Sequence, residues 1–106
     1  MHCEHCNKPL KELIIECDFG ADPIWCGHCL ANLELDEMPL SEVLLTELTT
    51  WMCAFGEWID IENDSFIEGT EHLAEAHDKQ GVLLAQKVAD ELGTGVTIKF
   101  SPYLTN

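Results

Sequence analysis

At 106 residues the chain has room for one modest hydrophobic core, or for a small metal-bound module fused to a small helical one. Twenty Asp and Glu against five Lys give a formal charge of −15. That balance argues against direct nucleic-acid binding, because a phosphate backbone rewards cations through counterion release, and favours a protein partner with a basic surface.

No run approaches the roughly 20 consecutive apolar residues that span a bilayer. The opening MHCEHCNKPL also lacks the basic and apolar regions of a secretory signal. A reducing cytoplasm is therefore the expected compartment, and the six cysteines are expected as metal ligands or free thiols rather than disulfides.

The first element is a metal motif. Cys3 and Cys6 stand two residues apart, as do Cys26 and Cys29. A two-residue gap lets one tight turn present two thiolates, and two such turns close a tetrahedral shell for one Zn²⁺. Asn7 and Gly27 are expected to supply the backbone freedom that these turns need. Four thiolates leave zinc no open position for water, so the expected ion is structural and the protein is expected not to be an enzyme. Iron in a Cys₄ site is the chemical alternative. His5 and His28 lie inside the knuckles and are expected to project into solvent.

Between the pairs, LKELIIECDFGADPIW reads as a β-hairpin. Leu13, Ile15, Cys17 and Phe19 alternate with more polar neighbours at the period of a half-buried strand. Gly20, Asp22 and Pro23 supply turn chemistry, and Ile24-Trp25 begins the return strand that carries Cys26 back. An acidic cluster, LELDEMPL, then ends at Pro39 and marks the boundary between a zinc-binding hairpin module, residues 1–38, and a helical region with a C-terminal strand, residues 39–106. The two are expected to share one core, because a hairpin of this size cannot bury its own apolar residues alone.

Ser41 is a plausible N-cap for a helix running to about Asp60, with Leu44, Leu48, Trp51, Met52, Phe55, Trp58 and Ile59 on one wide apolar face. A loop, IENDSFIEG, follows. Thr70 is expected to cap a second helix that ends at Gly93, with Leu73, His77, Leu84, Val88 and Leu92 on one face. Gly81 shares that face, where it marks either a close crossing or a break. GVTIKFSP closes the chain as a strand, stopped by Pro102 and available to pair with a hairpin edge. The expected fold class is α+β.

The layout of residues 3–35 resembles the zinc-ribbon and treble-clef families. IWCGHCLANL looks like the second half of a treble clef, in which the last cysteine pair opens a short helix, and Leu30 and Leu33, three apart, fit that reading. The zinc-binding domain at the head of the Clp protease unfoldase has a similar layout, and in that family it binds adaptors and substrates. The resemblance implies a recognition module, and the leading expectation is a non-enzymatic zinc-binding adaptor for protein–protein interaction.

A nucleic-acid-associated regulator is the alternative, acting through the zinc module or as an acidic mimic of nucleic acid. Lys8 and Lys11 are the only basic residues before Lys79, which weakens its direct-binding version. A zinc hydrolase or redox enzyme would need an open metal position or a reactive thiol. Cys17 is expected as a buried thiol, Cys53 as an exposed one among acidic neighbours, and His77 as a satisfied core histidine. His72 and His77 are five residues apart, off the three-or-four spacing of a helical metal site.

Overall fold

The computed structural model describes residues 1–104. Its order is β1 (Glu12–Ile15), β2 (Ile24–Cys26), a 3₁₀ turn (Leu35–Glu37), α1 (Glu42–Cys53), β3 (Ile59–Asp60), β4 (Ser65–Phe66), α2 (Glu71–Leu92) and β5 (Thr97–Phe100). The fold is α+β. None of its helices is long and apolar enough to cross a membrane.

Alternation decides the sheet. Leu13 and Ile15 of β1 are fully buried, while Glu12 and Ile14 between them are half-buried. Their partners across the antiparallel hairpin are Cys26 and Ile24, also fully buried, so one face of the sheet is continuously apolar. The strand is shorter than its sequence pattern. It stops at Ile15, leaving Cys17 half-buried and Phe19 52% exposed in the connecting loop. Phe19 nonetheless finds Phe55 across the fold, with ring centroids 5.0 Å apart.

β5 pairs with β1 in parallel, giving the sheet order β2-β1-β5. Thr97 N–H donates to the Lys11 carbonyl and Ser101 N–H to the Ile15 carbonyl, which extends the ladder past both strand ends. A parallel pairing needs a long crossover, and here α1 and α2 lie within it. They bring Leu44, Leu48 and Trp51 from α1, and Leu84, Ala85 and Val88 from α2, into one apolar cluster with Leu13, Ile15 and Ile24 of the sheet.

The helices run antiparallel. Ser41 Oγ accepts from the Leu44 amide as the N-cap of α1, and the Glu91 carboxylate near the end of α2 accepts from both the Ser41 amide and hydroxyl. Lys87 and Glu47 form an ion pair further along at 2.8 Å. Thr70 precedes α2 but does not cap it, since its hydroxyl donates to the Ile67 carbonyl instead.

Two expectations about α1 and the loop after it need correction. The helix ends at Cys53, not near Asp60, because the chain turns at Gly56 with φ +93°. A Cβ at Gly56 would stand 2.7 Å from Phe19 Cζ, so the position demands glycine on both counts. Phe55, Trp58 and Ile59 therefore leave the helix face, and IENDSFIEG is no plain loop but carries the short β3–β4 hairpin, with Ile59 opposite Phe66.

Candidate metal centre

The four paired cysteines meet at one end of the sheet. Each pair sits in a knuckle, and the two knuckles repeat the same hydrogen bonds. Cys3 N–H donates to the Lys8 carbonyl as Cys26 N–H does to that of Ala31. Asn7 N–H donates to the Cys3 carbonyl as Leu30 N–H does to that of Cys26. Isolated bridges flank both, His2 with Pro9 and Trp25 with Asn32.

The left-handed residue falls at the same place in each, immediately after the second cysteine: Asn7 at φ +56° and Leu30 at φ +63°. Asparagine tolerates that conformation and leucine resists it. Gly27 is not the left-handed residue expected from the sequence. Its missing side chain instead lets the second knuckle lie against β1, where Gly27 N–H donates to the Glu12 carbonyl at 2.8 Å and a Cβ would fall 2.7 Å from Glu12 Cβ.

No helix opens at Cys29, so the treble-clef reading of IWCGHCLANL is not met. The chain returns through the Trp25–Asn32 bridge, and Leu30, left-handed and 63% exposed, belongs to no helix with Leu33.

All four sulfur atoms lie within 4.8 Å of one another. Sulfurs about 2.3 Å from a tetrahedral zinc stand about 3.8 Å apart, and Cys3 Sγ lies 3.6 Å from Cys29 Sγ. The donor set therefore fits a metal ion. Cys3 and Cys26 are buried, Cys6 is half-buried and Cys29 is exposed. The backbone amide of Cys6, hydrogen-bonded to the Cys3 thiol, pulls that thiol down to about 6. The Ala31 amide also pulls on Cys29, but desolvation and the hydrogen bonds to Cys3, Cys26 and Cys6 outweigh it and push Cys29 up to about 11. Cys29 thus holds its proton where Cys3 gives its own up, and a divalent cation would displace it.

The other candidates lie elsewhere. His5 and His28 are exposed, and His5 opens onto a groove with Glu4, Glu34 and Glu37 rather than onto the thiols. Cys53 is exposed. Cys17 is pushed up to about 12 by burial and by the charges of Asp78 and Glu16. His72 is exposed and stands apart from His77.

His77 is 6% exposed, and its Nε2–H donates to the Trp51 carbonyl at 2.8 Å. Trp51 Nε1–H returns a bond to the His77 carbonyl at 2.9 Å, and the two rings stack at 4.5 Å. Desolvation by burial holds the imidazole below its ordinary range. Asp78, given no particular role by the sequence, accepts from the amides of Tyr103 and Leu104 and pins the segment after β5. Only the fold brings those positions together, so periodicity carries no signal for it.

Residues 11–103 match a model of the Serratia CdiI immunity protein-like family, a span that takes in both helices, every strand and the second cysteine pair. The chain belongs to that family. No curated protein matches it. In this member of the Serratia CdiI immunity protein-like family the first knuckle, with Cys3 and Cys6, lies outside the matched residues. The family therefore takes in the helical region to which the zinc-module resemblance assigned nothing.

Proposed function

We propose that this chain is an immunity protein that binds and neutralises a protein toxin, acting by occlusion rather than by catalysis. The observation that carries this reading is the family match across residues 11–103. The charge supports it. Between Lys11 and Lys79 there is no lysine or arginine, while Glu57, Glu62, Asp64, Glu68, Glu71 and Glu75 are all exposed. Such a surface steers toward a basic partner and raises its rate of association. It offers little to a phosphate backbone.

In the same reading Cys3, Cys6, Cys26 and Cys29 hold one structural Zn²⁺. Four thiolates fill the shell and leave no position for a reacting water. The ion fastens the first knuckle to the hairpin of β1 and β2. Metal analysis of the purified chain should find about one equivalent of zinc, lost in Cys26→Ser.

The functional test is capture followed by neutralisation. The tagged chain is used to isolate its partner from the native cells, and the partner is then expressed alone and together with this chain. Growth arrest by the partner, relieved on co-expression, is the expected outcome. A partner that is harmless alone, or toxic regardless of this chain, would refute the immunity reading.

A further inference from the structure

A cavity of about 150 Å³ opens where the ends of β1 and β5 meet the facing parts of α1 and α2. Its walls include the rings of Trp51, Phe55, Phe100 and Tyr103, and the carboxylates of Glu16 and Asp78. Trp51 and Phe100 stand 6.1 Å apart between centroids, and Phe55 and Tyr103 stand 5.9 Å apart. Four chain segments contribute, so this is a place the tertiary fold builds. Its mouth is accessible, for Tyr103 is 40% exposed and both acidic residues are half-buried.

The two carboxylates have hydrogen bonds but no counter-charge. Glu16 Oε1 accepts from the Ser101 hydroxyl at 2.7 Å, and Asp78 accepts from the amides of Tyr103 and Leu104 at 2.8 and 2.9 Å. The ion pairs among the described residues are Lys87 with Glu47 and Lys99 with Glu12, which leaves Glu16 and Asp78 unpaired. His77 lines the same cavity, but burial favours its neutral form and its Nε2–H is already given to Trp51. Cys17, also on the wall, reports the resulting field: Asp78 and Glu16 both add to the burial that holds its thiol protonated.

Trp51 is buried and stacked on His77, so the rings open to an entering group are those of Phe55, Phe100 and Tyr103. Such rings beside uncompensated carboxylates favour organic cations over neutral or anionic groups. Among cationic side chains, guanidinium is planar, stacks on rings, sheds water more readily than ammonium and can fork onto a carboxylate. We propose that this cavity is a receptor for an arginine side chain presented by the protein partner. The assignment of that arginine to a toxin rests on the immunity reading. The preference of the cavity for guanidinium does not.

The experiment titrates N-acetyl-arginine methylamide into the full zinc-loaded chain and follows the Trp51 indole N–H and the Ser101 and Tyr103 amides by NMR. Saturable shifts confined to those groups are expected, with no binding by the uncharged citrulline analogue. Glu16→Gln keeps an oxygen to accept from Ser101 while removing one charge, and should weaken binding about tenfold. Asp78→Asn should act alike, and if it unfolds, Glu16→Gln alone decides. Absence of saturable shifts, equal binding of citrulline, or unchanged affinity in Glu16→Gln overturns the cavity assignment. The two readings fail separately. If Glu16→Gln loses arginine binding yet still neutralises the captured partner, the partner's arginine does not sit here and the immunity reading stands. If the unsubstituted chain binds arginine but neutralises nothing, the immunity reading falls and the cavity remains a guanidinium site.

Discussion

Gly81 shows how a single missing methyl can hold two layers together. The residue is buried in the middle of α2, with the rings of Trp51 and Phe100 laid against its backbone. A Cβ there would fall 2.7 Å from Trp51 Cζ2, and Trp51 cannot retreat, being 2% exposed, hydrogen-bonded and stacked on His77. Gly81→Ala gains about 1 kcal/mol of helix propensity. Overpacking a fixed ring costs about 1–3 kcal/mol. The clash should win, so the denaturant midpoint is expected to fall although the substitution is normally helix-stabilising; a higher midpoint would show that the rings yield. The sequence placed Gly81 on the apolar face of an amphipathic pattern and left a crossing or a break open. The helix is unbroken, and the crossing is the reason for the glycine.

Between elements, the Trp51–His77 pair joins α1 to α2 by two reciprocal hydrogen bonds and a stack. A buried carbonyl can only accept, so the Trp51 carbonyl requires a proton on Nε2, and the neutral imidazole meets that need. The histidine therefore titrates differently in the two states. Burial holds its folded pKa below the ordinary 6.5, so the unfolded chain takes up a proton first as pH falls. The stability it contributes is complete above about pH 6.5 and is eroded below that, toward the folded pKa. Urea midpoints measured from pH 7.5 to pH 5 should decline more steeply for the native chain than for His77→Gln, which keeps an N–H donor and does not titrate (about one proton's difference in slope at most). Parallel curves would mean that His77 is not held neutral. That His77 belongs to the core was readable from its spacing with Leu73, Leu84 and Val88. Its partner was not, since a helical wheel names a face and says nothing of what will cover it.

Across the whole molecule, one apolar cluster runs from the knuckles to the helices: Cys3, Leu10, Cys26 and Leu35 belong to it with Leu48, Trp51, Leu84 and Val88. The hairpin supplies two strands of the sheet and the C-terminal segment the third. We therefore expect residues 1–38 and 39–106 to unfold as one unit. Chelation of the metal should lower a single transition, with far-ultraviolet circular dichroism and tryptophan fluorescence coincident throughout. Two separated transitions, only the first sensitive to chelator, would show independent modules.

What the sequence determined by itself is whatever depends on spacing along the chain. Two cysteine pairs in matching knuckles, the alternation through Leu13 and Ile15, the serine cap at Ser41 and the helix stop at Gly93 are local rules, satisfied within a few residues. The ends of elements were less legible: the apolar spacing of α1 runs on to Ile59, but the helix stops at Cys53 ahead of the turn at Gly56, whose missing side chain also leaves room for Phe19. The parallel register of β5 on β1, the Trp51–His77 bonds, and the cavity that sets Glu16 and Asp78 among aromatic rings were decided only by the tertiary structure. Each joins residues separated by long stretches of chain. Their meeting is fixed by the burial of one shared core, which no local pattern encodes.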